Sequence, residues 1–411
     1  MANGERQTVL VRVSGRDRPG ITMGLLGVLA KGGADVYDME QLVVRERLTL
    51  DLLVSVPSGS DLLKELLFFG WEQQGIQIDF EVVESVSSRE GKQRHVVTAL
   101  GSRLSPEALA AVTQAIASAG GNIDRIVRLS RYPVVSYEFE VVDADIDAMR
   151  AALVAVAGRD DVDIAVQAAG LGRRSKRLVV MDVDSTLIQN EVVELLAEEA
   201  GVLTQVADIT SRAMNGELDF TESLIERVAL LKGLDEAAIA RVAERIVLTP
   251  GARTFVRNLQ RLGFKVGIVS GGFTQLTDRL KADLRLDHAE ANELEVVDGL
   301  LTGRVVGPVV DRARKAQALC EFAAREGIST EQTVAVGDGA NDLDMLAAAG
   351  LGIAFNAKAV VREAADTSVS VPYLDAILFI LGYRGDDVEA ADRDAGVDLG
   401  QRVAIDGTPP V

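Results

Sequence analysis

The apolar pattern of this 411-residue chain changes character near residue 170, and that change restricts the fold more than any other feature. Before it, strand-like stretches such as Leu48 to Val56 and Val134 to Val142 alternate apolar with polar residues. Such alternation describes a sheet with one buried face, the habit of antiparallel pairing. After it come short apolar runs without alternation: Leu178 to Met181, Val266 to Val269, Thr333 to Val336 and Gly352 to Phe355. Strands of that kind are buried on both faces, and long amphipathic stretches separate them. The pattern predicts a doubly wound parallel α/β layer.

The first ~170 residues repeat weakly, with a period of about 87. Copy one runs from the strand Thr8 to Val13 through Pro19-Gly20 into a helix at Leu25 to Ala30, which stops at Gly32-Gly33. Copy two runs from Val96 to Leu100 through Ser105-Pro106 into a helix over Ala108 to Ala119, which stops at Gly120-Gly121. In both, proline is expected just inside the helix start and a glycine pair at its end. Further strands, a second helix and a last strand complete a βαββαβ order, an antiparallel sheet with two helices on one face. Predicted domains are 1–87, 93–169 and 178–384, with Gly170 to Arg177 (170–177) as a basic linker. About 80 residues of helical periodicity, Val192 to Leu262, exceed one crossover, so a helical cap is expected at about 188–250. Residues 385–411, rich in Asp, Gly and Ala, read as a flexible acidic tail.

Composition narrows the chemistry. Net charge is −19, from 62 acidic against 43 basic residues, which argues against a nucleic-acid or anionic-membrane partner. Two histidines, His95 and His288, and one cysteine, Cys320, leave almost no material for Ser-His-Asp or Cys-His catalysis or for a zinc site. Carboxylates, lysine, hydroxyls and oxygen-bound metal remain. A single cysteine cannot form an internal disulfide and fits a reducing compartment. The first residues lack signal-peptide architecture, and no apolar run reaches the ~18 residues of a membrane helix. A cytoplasmic protein is expected.

Chemistry-bearing residues gather at the ends of the unalternated strands. In Asp182-Val183-Asp184-Ser185-Thr186, alternation puts Asp182 and Asp184 on one side of the chain at a strand's carboxyl end, where open α/β sheets bind ligands. One carboxylate can attack or bind metal while the other moves a proton. A calcium loop would need Gly and Glu where Leu187 and Val193 stand. Ser270-Gly271-Gly272 ends a second strand and opens its backbone N–H groups to an anion. Lys315 lies near a helix start, after a hairpin over Glu293 to Val305 that turns at Asp298-Gly299. Gly337-Asp338-Gly339-Ala340-Asn341-Asp342 ends a third strand. No Gly-x-x-x-x-Gly-Lys-Ser/Thr loop exists.

These elements, in this order, resemble the haloacid dehalogenase superfamily of phosphotransfer enzymes over about half the chain. The resemblance implies that Asp182 attacks phosphorus and that Asp184 protonates the leaving alcohol and then activates water. It also implies Mg2+ on Asp182, Asp338 and the Asp184 backbone carbonyl. Ser270, Gly271 and Lys315 would hold the phosphoryl oxygens, with Asn341 and Asp342 steadying the site. Within the superfamily, Gln189 to Ala197, Ala213 to Phe220 and Ser223 to Val228 resemble the phosphoserine phosphatases. That likeness implies that Glu191 meets the substrate ammonium, Arg227 clamps its carboxylate, and Met214 with Phe220 closes an apolar lid. The N-terminal repeat resembles two tandem ACT domains, α+β ferredoxin-like amino-acid-binding modules. Gly15 to Ile21 looks like that family's ligand loop, with Asp17 and Gly20 at an effector site; copy two has no aspartate matching Asp17. Together these imply phosphoserine as substrate, an amino-acid effector (serine the first candidate) and a homodimer paired through the ACT domains. The same residues also suit a related cap-bearing phosphatase or phosphotransferase. An amino-acid-sensing protein with an inactive phosphatase domain is the alternative from another class.

Overall fold

A computed structural model of the chain describes residues 6–83, 93–157, 162–214 and 217–397, without the Met214 side chain. They fall in two compact units, Met1–Gly91 and Lys92–Val411.

The first unit runs β1 (Arg6–Arg16), α1 (Ile21–Lys31), β2 (Asp35–Val44), β3 (Arg47–Pro57), α2 (Leu62–Glu72), β4 (Ile76–Val83). The sheet order is β2-β3-β1-β4, all antiparallel. Alternation does what the sequence predicts: Leu48, Leu50, Leu52, Val54 and Val56 of β3 are buried with Leu25, Leu29 and Leu66 of the helices. Each such side chain contributes roughly 1.5–3 kcal/mol. One detail differs. Pro19 lies in the turn ahead of α1, because Gly20, in the left-handed region at φ 96°, takes the position before the first helical residue.

The second unit opens with β5 (Arg94–Gly101), α3 (Pro106–Ser118), β6 (Asn122–Ser130), β7 (Val135–Val142), α4 (Ile146–Ala157) and β8 (Asp163–Ala168), in sheet order β6-β7-β5-β8. Here Pro106 does begin the helix, behind a Ser105 cap. One face of this sheet packs Val97, Ala99, Phe139 and Val141 against its own helices. Residues of the other face, Leu100 and Ala165, belong with Leu129 and Val134 to the core of the layer that follows.

That layer continues with β9 (Leu178–Met181), then α5 (Val192–Ala200), α6 (Leu203–Met214), α7 (Phe220–Ala229), α8 (Ala237–Arg245), α9 (Ala252–Arg261) and β10 (Lys265–Phe273). Next come α10 (Thr274–Leu284), β11 (His288–Val297), β12 (Leu300–Val306), α11 (Arg312–Glu326), β13 (Thr333–Gly337), α12 (Leu343–Ala348) and β14 (Gly352–Phe355). It ends with α13 (Ala359–Ala364), β15 (Thr367–Val369), α14 (Ile377–Ile380) and α15 (Gly385–Asp394). The sheet order is β12-β11-β10-β9-β13-β14-β15. All neighbours are parallel except β12, whose hairpin turns at Asp298-Gly299 with φ of 51° and 78°. β9 is fully buried at the centre, and Met181 pairs with Ile268 on one side and Val336 on the other. Asp182, Ser270 and Asp338 therefore leave three adjacent strands at one edge of the sheet. Among the described residues, the helical run after β9 resolves into five helices, α5 to α9. β15 was not expected, because three residues carry too little pattern to be read.

Two expectations are corrected. Residues 170–177 do not form a free basic spacer: Arg173 is buried in an ion pair with Glu138 at 2.6 Å, and Lys176 donates to the carbonyls of Glu331 and Gly350, both at 2.6 Å. Cations taken out of water need such partners. Nor is the segment from residue 385 wholly a frayed tail, since α15 is anchored by Asp392, which is 0% exposed and bonded to Arg257 and Arg261. Residues 398–411 of the expected tail lie outside the described residues. Among the described residues, no helix is long and apolar enough to cross a membrane.

Candidate active site

Asp182 is buried where β9 ends. Its Oδ1 accepts from Lys315 Nζ at 2.7 Å, and the same ammonium donates to Asp342 Oδ1 at 2.7 Å. Lys315 reaches inward from the first turn of α11, which Asp311 caps by accepting from the Arg314 N–H. Burial works against the charged form of Lys315, but Asp182 and Asp342 outweigh it and hold the ammonium above the ordinary lysine value.

Beyond Asp182 the chain turns sharply through Ser185, a non-glycine residue in the left-handed region at φ 56°. Asp184, just ahead of this turn, has partners other than Lys315. Its Oδ1 accepts from Val192 N–H at 2.8 Å and its Oδ2 from Ser270 Oγ at 3.2 Å. Burial, reinforced by the nearby Glu191 charge, pushes Asp184 up to about 6. Ser270 Oγ in turn accepts from the Gly272 N–H at 2.7 Å.

Asp338, two residues past the β13 pairing with Met181, accepts from Thr186 Oγ1 at 3.1 Å. Burial and then the Asp342 charge push it up to about 7. Asp182 is raised by the same causes in the same order. Carboxylate oxygens of Asp182, Asp338 and Asp342 lie within 4.8 Å of one another. One buried ammonium faces these acidic groups, so the cluster is short of positive charge, and a hard divalent cation fits it. Asp342 is already committed, through Oδ1 to Lys315 and through Oδ2 to the Gly339 N–H at 3.0 Å. Asp182 and Asp338 are therefore the carboxylates suited to the ion. The Asp184 carboxylate is turned to Ser270 and Val192, which leaves its backbone carbonyl as its possible contribution.

The remaining expected residues fall around this cluster. Glu191 precedes α5, and its Oε1 accepts from Ser185 Oγ at 2.8 Å. Arg227 on α7 donates from Nε to the Ser223 carbonyl at 3.2 Å and feels the charges of Glu191 and Asp184, although burial lowers its proton affinity. Phe220 opens α7 behind a capping box of Asp219 and Glu222, and its ring covers Gly271 so closely that a Cβ there would lie 2.8 Å from the ring. The Asn341 side chain folds over Gly339, where a Cβ would meet its Oδ1 at 2.1 Å. Met214 ends α6, but its side chain lies outside the described residues. Asp17 and Gly20 belong to the first unit. There an open cleft of about 690 Å³ is lined by Arg16, Asp17, Arg18, Val43, Glu46 and Gln74. Asp17 N–H donates to the Glu46 carbonyl at 2.7 Å, across a β2–β3 turn whose Arg45 and Glu46 have positive φ.

Sequence reasoning missed two supporting groups. Thr186 stood inside a motif already singled out, and its hydroxyl orients Asp338. Asn292 is a buried amide in a strand whose residues are mostly part-exposed, and with Glu290, Glu293 and Glu295 around it nothing in the sequence marks it out.

Comparison with known proteins agrees with this architecture. Residues 179–347 match the haloacid dehalogenase-like hydrolase family, and residues 7–81 and 93–167 each match an ACT domain. The chain is 53% identical to phosphoserine phosphatase of Streptomyces coelicolor, covering 96% of each sequence. It is 49% identical to phosphoserine phosphatase SerB2 of Mycobacterium tuberculosis, over 95% of this chain and 97% of that one. Among solved structures, a HAD family hydrolase from Salmonella enterica serovar Typhi superposes with a TM-score of 0.62 at 31% identity, over 70% of this chain and 98% of that one. A probable phosphoserine phosphatase from Vibrio cholerae gives 0.56 at 34% identity, over 76% and 91%. The buried Asp182–Lys315–Asp342 cluster at the carboxyl edge of a parallel sheet, and relatives matched over nearly the whole chain, lead to one assignment: this chain belongs to the phosphoserine phosphatases, haloacid dehalogenase-like hydrolases that carry two ACT domains.

Proposed function

We propose that the chain hydrolyses O-phospho-L-serine through an aspartyl-phosphate on Asp182, with Asp184 moving the protons. The observation that carries this reading is the separation of the two aspartates' environments. Burial and the Asp342 charge raise the proton affinity of Asp182, but the Lys315 ammonium bonded to its Oδ1 works against both and favours the ionised form that attacks. Among the described residues Asp184 has no such ammonium bond, and it is held by Ser270 and Val192 with its own affinity raised.

In the first step an Asp182 carboxylate oxygen forms a bond to phosphorus as the ester P–O bond breaks, and the departing serine oxygen takes its proton from Asp184. In the second, the Asp184 carboxylate takes a proton from water. The water oxygen bonds to phosphorus, and the acyl phosphate P–O bond breaks, which returns Asp182. Lys315, Ser270 and the Gly271 backbone hold the phosphoryl oxygens, with Asn341 and Asp342 steadying them. Mg2+, held by Asp182, Asp338 and the Asp184 backbone carbonyl, would offset the charge of a dianionic phosphate among carboxylates. Glu191 suits the substrate ammonium and Arg227 its carboxylate, while Phe220 and Met214 would exclude water above them. The reaction would be the last step of serine biosynthesis, in the cytoplasm.

The first-unit cleft with Asp17, and Gly20 ahead of α1, suits the ammonium and carboxylate of a free amino acid, serine first. Strand β2 exposes Tyr37, Met39, Leu42 and Val44 at a sheet edge, which supports a homodimer through the ACT domains.

Phosphate release from a panel of phosphomonoesters, with and without Mg2+, tests the reading. Phosphoserine should exceed simple alkyl phosphates, and Asp182→Asn should abolish turnover in preparations free of deamidated protein. Equal rates across the panel would remove the substrate assignment, and turnover by the variant would remove the nucleophile.

A further inference from the structure

Asn292 lies in β11, 1% exposed, on the strand beside the one that carries Ser270 and Gly271. A buried amide needs partners at both its nitrogen and its oxygen. Nδ2 donates to the carbonyls of Gly271 at 2.8 Å and Gly272 at 3.2 Å, and Oδ1 accepts from the Val310 N–H at 2.8 Å. Val310 immediately precedes Asp311, whose side chain caps α11 and whose carbonyl accepts from the Lys315 N–H. One side chain thus joins the segment bearing Ser270 to the segment bearing Lys315.

The peptide unit is planar, so a carbonyl held on one side sets the direction of the N–H on the other. With the Gly271 carbonyl turned to Asn292, the Gly272 N–H points at Ser270 Oγ, 2.7 Å away. Ser270, its oxygen occupied by that bond, gives its own proton to Asp184 Oδ2 at 3.2 Å. We propose that Asn292 is a positioning residue for the reaction: it sets the Ser270 hydroxyl and the Gly271–Gly272 backbone in register with Lys315 before substrate binds. It touches neither substrate nor reacting atoms and acts through Ser270 and Gly271. When the phosphoryl group arrives, Ser270 then needs only to turn its proton from Asp184 to a phosphoryl oxygen, while its oxygen and the Gly271–Gly272 backbone stay in place. The inference rests on the reading that Ser270, Gly271 and Lys315 hold that group.

Asn292→Asp is the sharpest test, because it keeps the shape and the acceptor for Val310 but sets an oxygen against two carbonyl oxygens. Inorganic phosphate affinity, KM, kcat and the melting curve are measured for it, for Ser270→Ala and for the double variant. Phosphate affinity is expected to fall roughly tenfold to a hundredfold in Asn292→Asp, with KM for phosphoserine rising in parallel. The double variant is expected to be little worse than Ser270→Ala, since both act on one hydroxyl. An Asn292→Asp protein that melts earlier yet binds phosphate with parental affinity and KM would overturn the proposal. Should that variant fail to fold, Asn292→Ser, which keeps one donor, is read by the same criteria. If Ser270→Ala itself binds phosphate normally, the underlying reading falls and the proposal with it. Weak binding by Ser270→Ala beside normal binding by Asn292→Asp overturns the proposal alone.

Discussion

Arg173 and Glu138 form an ion pair at 2.6 Å whose side chains are only 4% and 10% exposed, between the second ACT sheet and the layer that carries Asp182 and Asp184. Arg173 also donates to the Ile380 carbonyl at 3.3 Å, and Gln167 reaches the same carbonyl at 2.9 Å. Asp163 accepts from the Ser370 N–H at 2.6 Å on the neighbouring edge. The second ACT sheet is therefore part of the catalytic unit's core. Arg173→Met leaves Glu138 buried without its partner and should cost about 3–5 kcal/mol of stability. Arg173→Met with Glu138→Leu should recover most of that loss, as read by thermal melting of both variants.

Truncation should separate the two ACT modules. A chain starting at residue 92 retains a complete packing unit and is expected to hydrolyse phosphoserine. A chain starting at residue 170 removes Leu100, Leu129, Val134 and Ala165 from the catalytic core and should aggregate or melt well below the parent. Size-exclusion chromatography and activity of the two fragments decide it, and equal behaviour would contradict the shared core.

Gly271 is a steric requirement of the Phe220 ring that packs over it. A Cβ at this position would stand 2.8 Å from the Phe220 ring, so Gly271→Ala should displace α7 and raise KM by the equivalent of about 1–3 kcal/mol. Phe220→Leu in the same chain should relieve part of the effect. Steady-state kinetics of the single and double variants provide the check.

Metal binding should register as stability. Adding Mg2+ at about 100 times its dissociation constant should stabilise the protein by about 2.7 kcal/mol. Asp338→Asn, which removes one of the two carboxylates suited to the ion, should abolish most of the rise in melting temperature. A rise of parental size in that variant would place the ion elsewhere.

His95 gives the second ACT module a pH dependence. The ring is 7% exposed, its Nδ1 has no partner among the described residues, and burial, aided by Arg150, depresses its proton affinity. Because the folded protein disfavours the charged ring, its contribution is fully present above the ordinary histidine value of about 6.5. It is lost as pH falls from there through the depressed folded value. Melting temperature should decline over that acidic interval, and His95→Gln should flatten the decline.

The strand-end residues were legible because each sits where a local pattern breaks. Asp182, Ser270 and Asp338 follow apolar runs, and parallel pairing sets those runs side by side. Lys315 was visible only by its place in a family's order, since a lysine on a helix is ordinarily solvated. Asn292 was not legible, because nothing near it in sequence reveals that Gly271 and Val310 stand on either side of its amide. The same holds for Asp392, whose arginine partners on α9 lie more than 130 residues away, and whose helix was read as a tail.

What the sequence determined by itself is the succession of elements and the placing of carboxylates at strand ends, because local periodicity and turn chemistry depend on neighbouring residues. Only the tertiary structure decided that Lys315 bridges Asp182 and Asp342, that Asn292 spans the segments bearing Ser270 and Lys315, and that the second ACT sheet belongs to the catalytic core. Those outcomes depend on which buried polar groups find partners across the fold, a condition met in three dimensions and not along the chain.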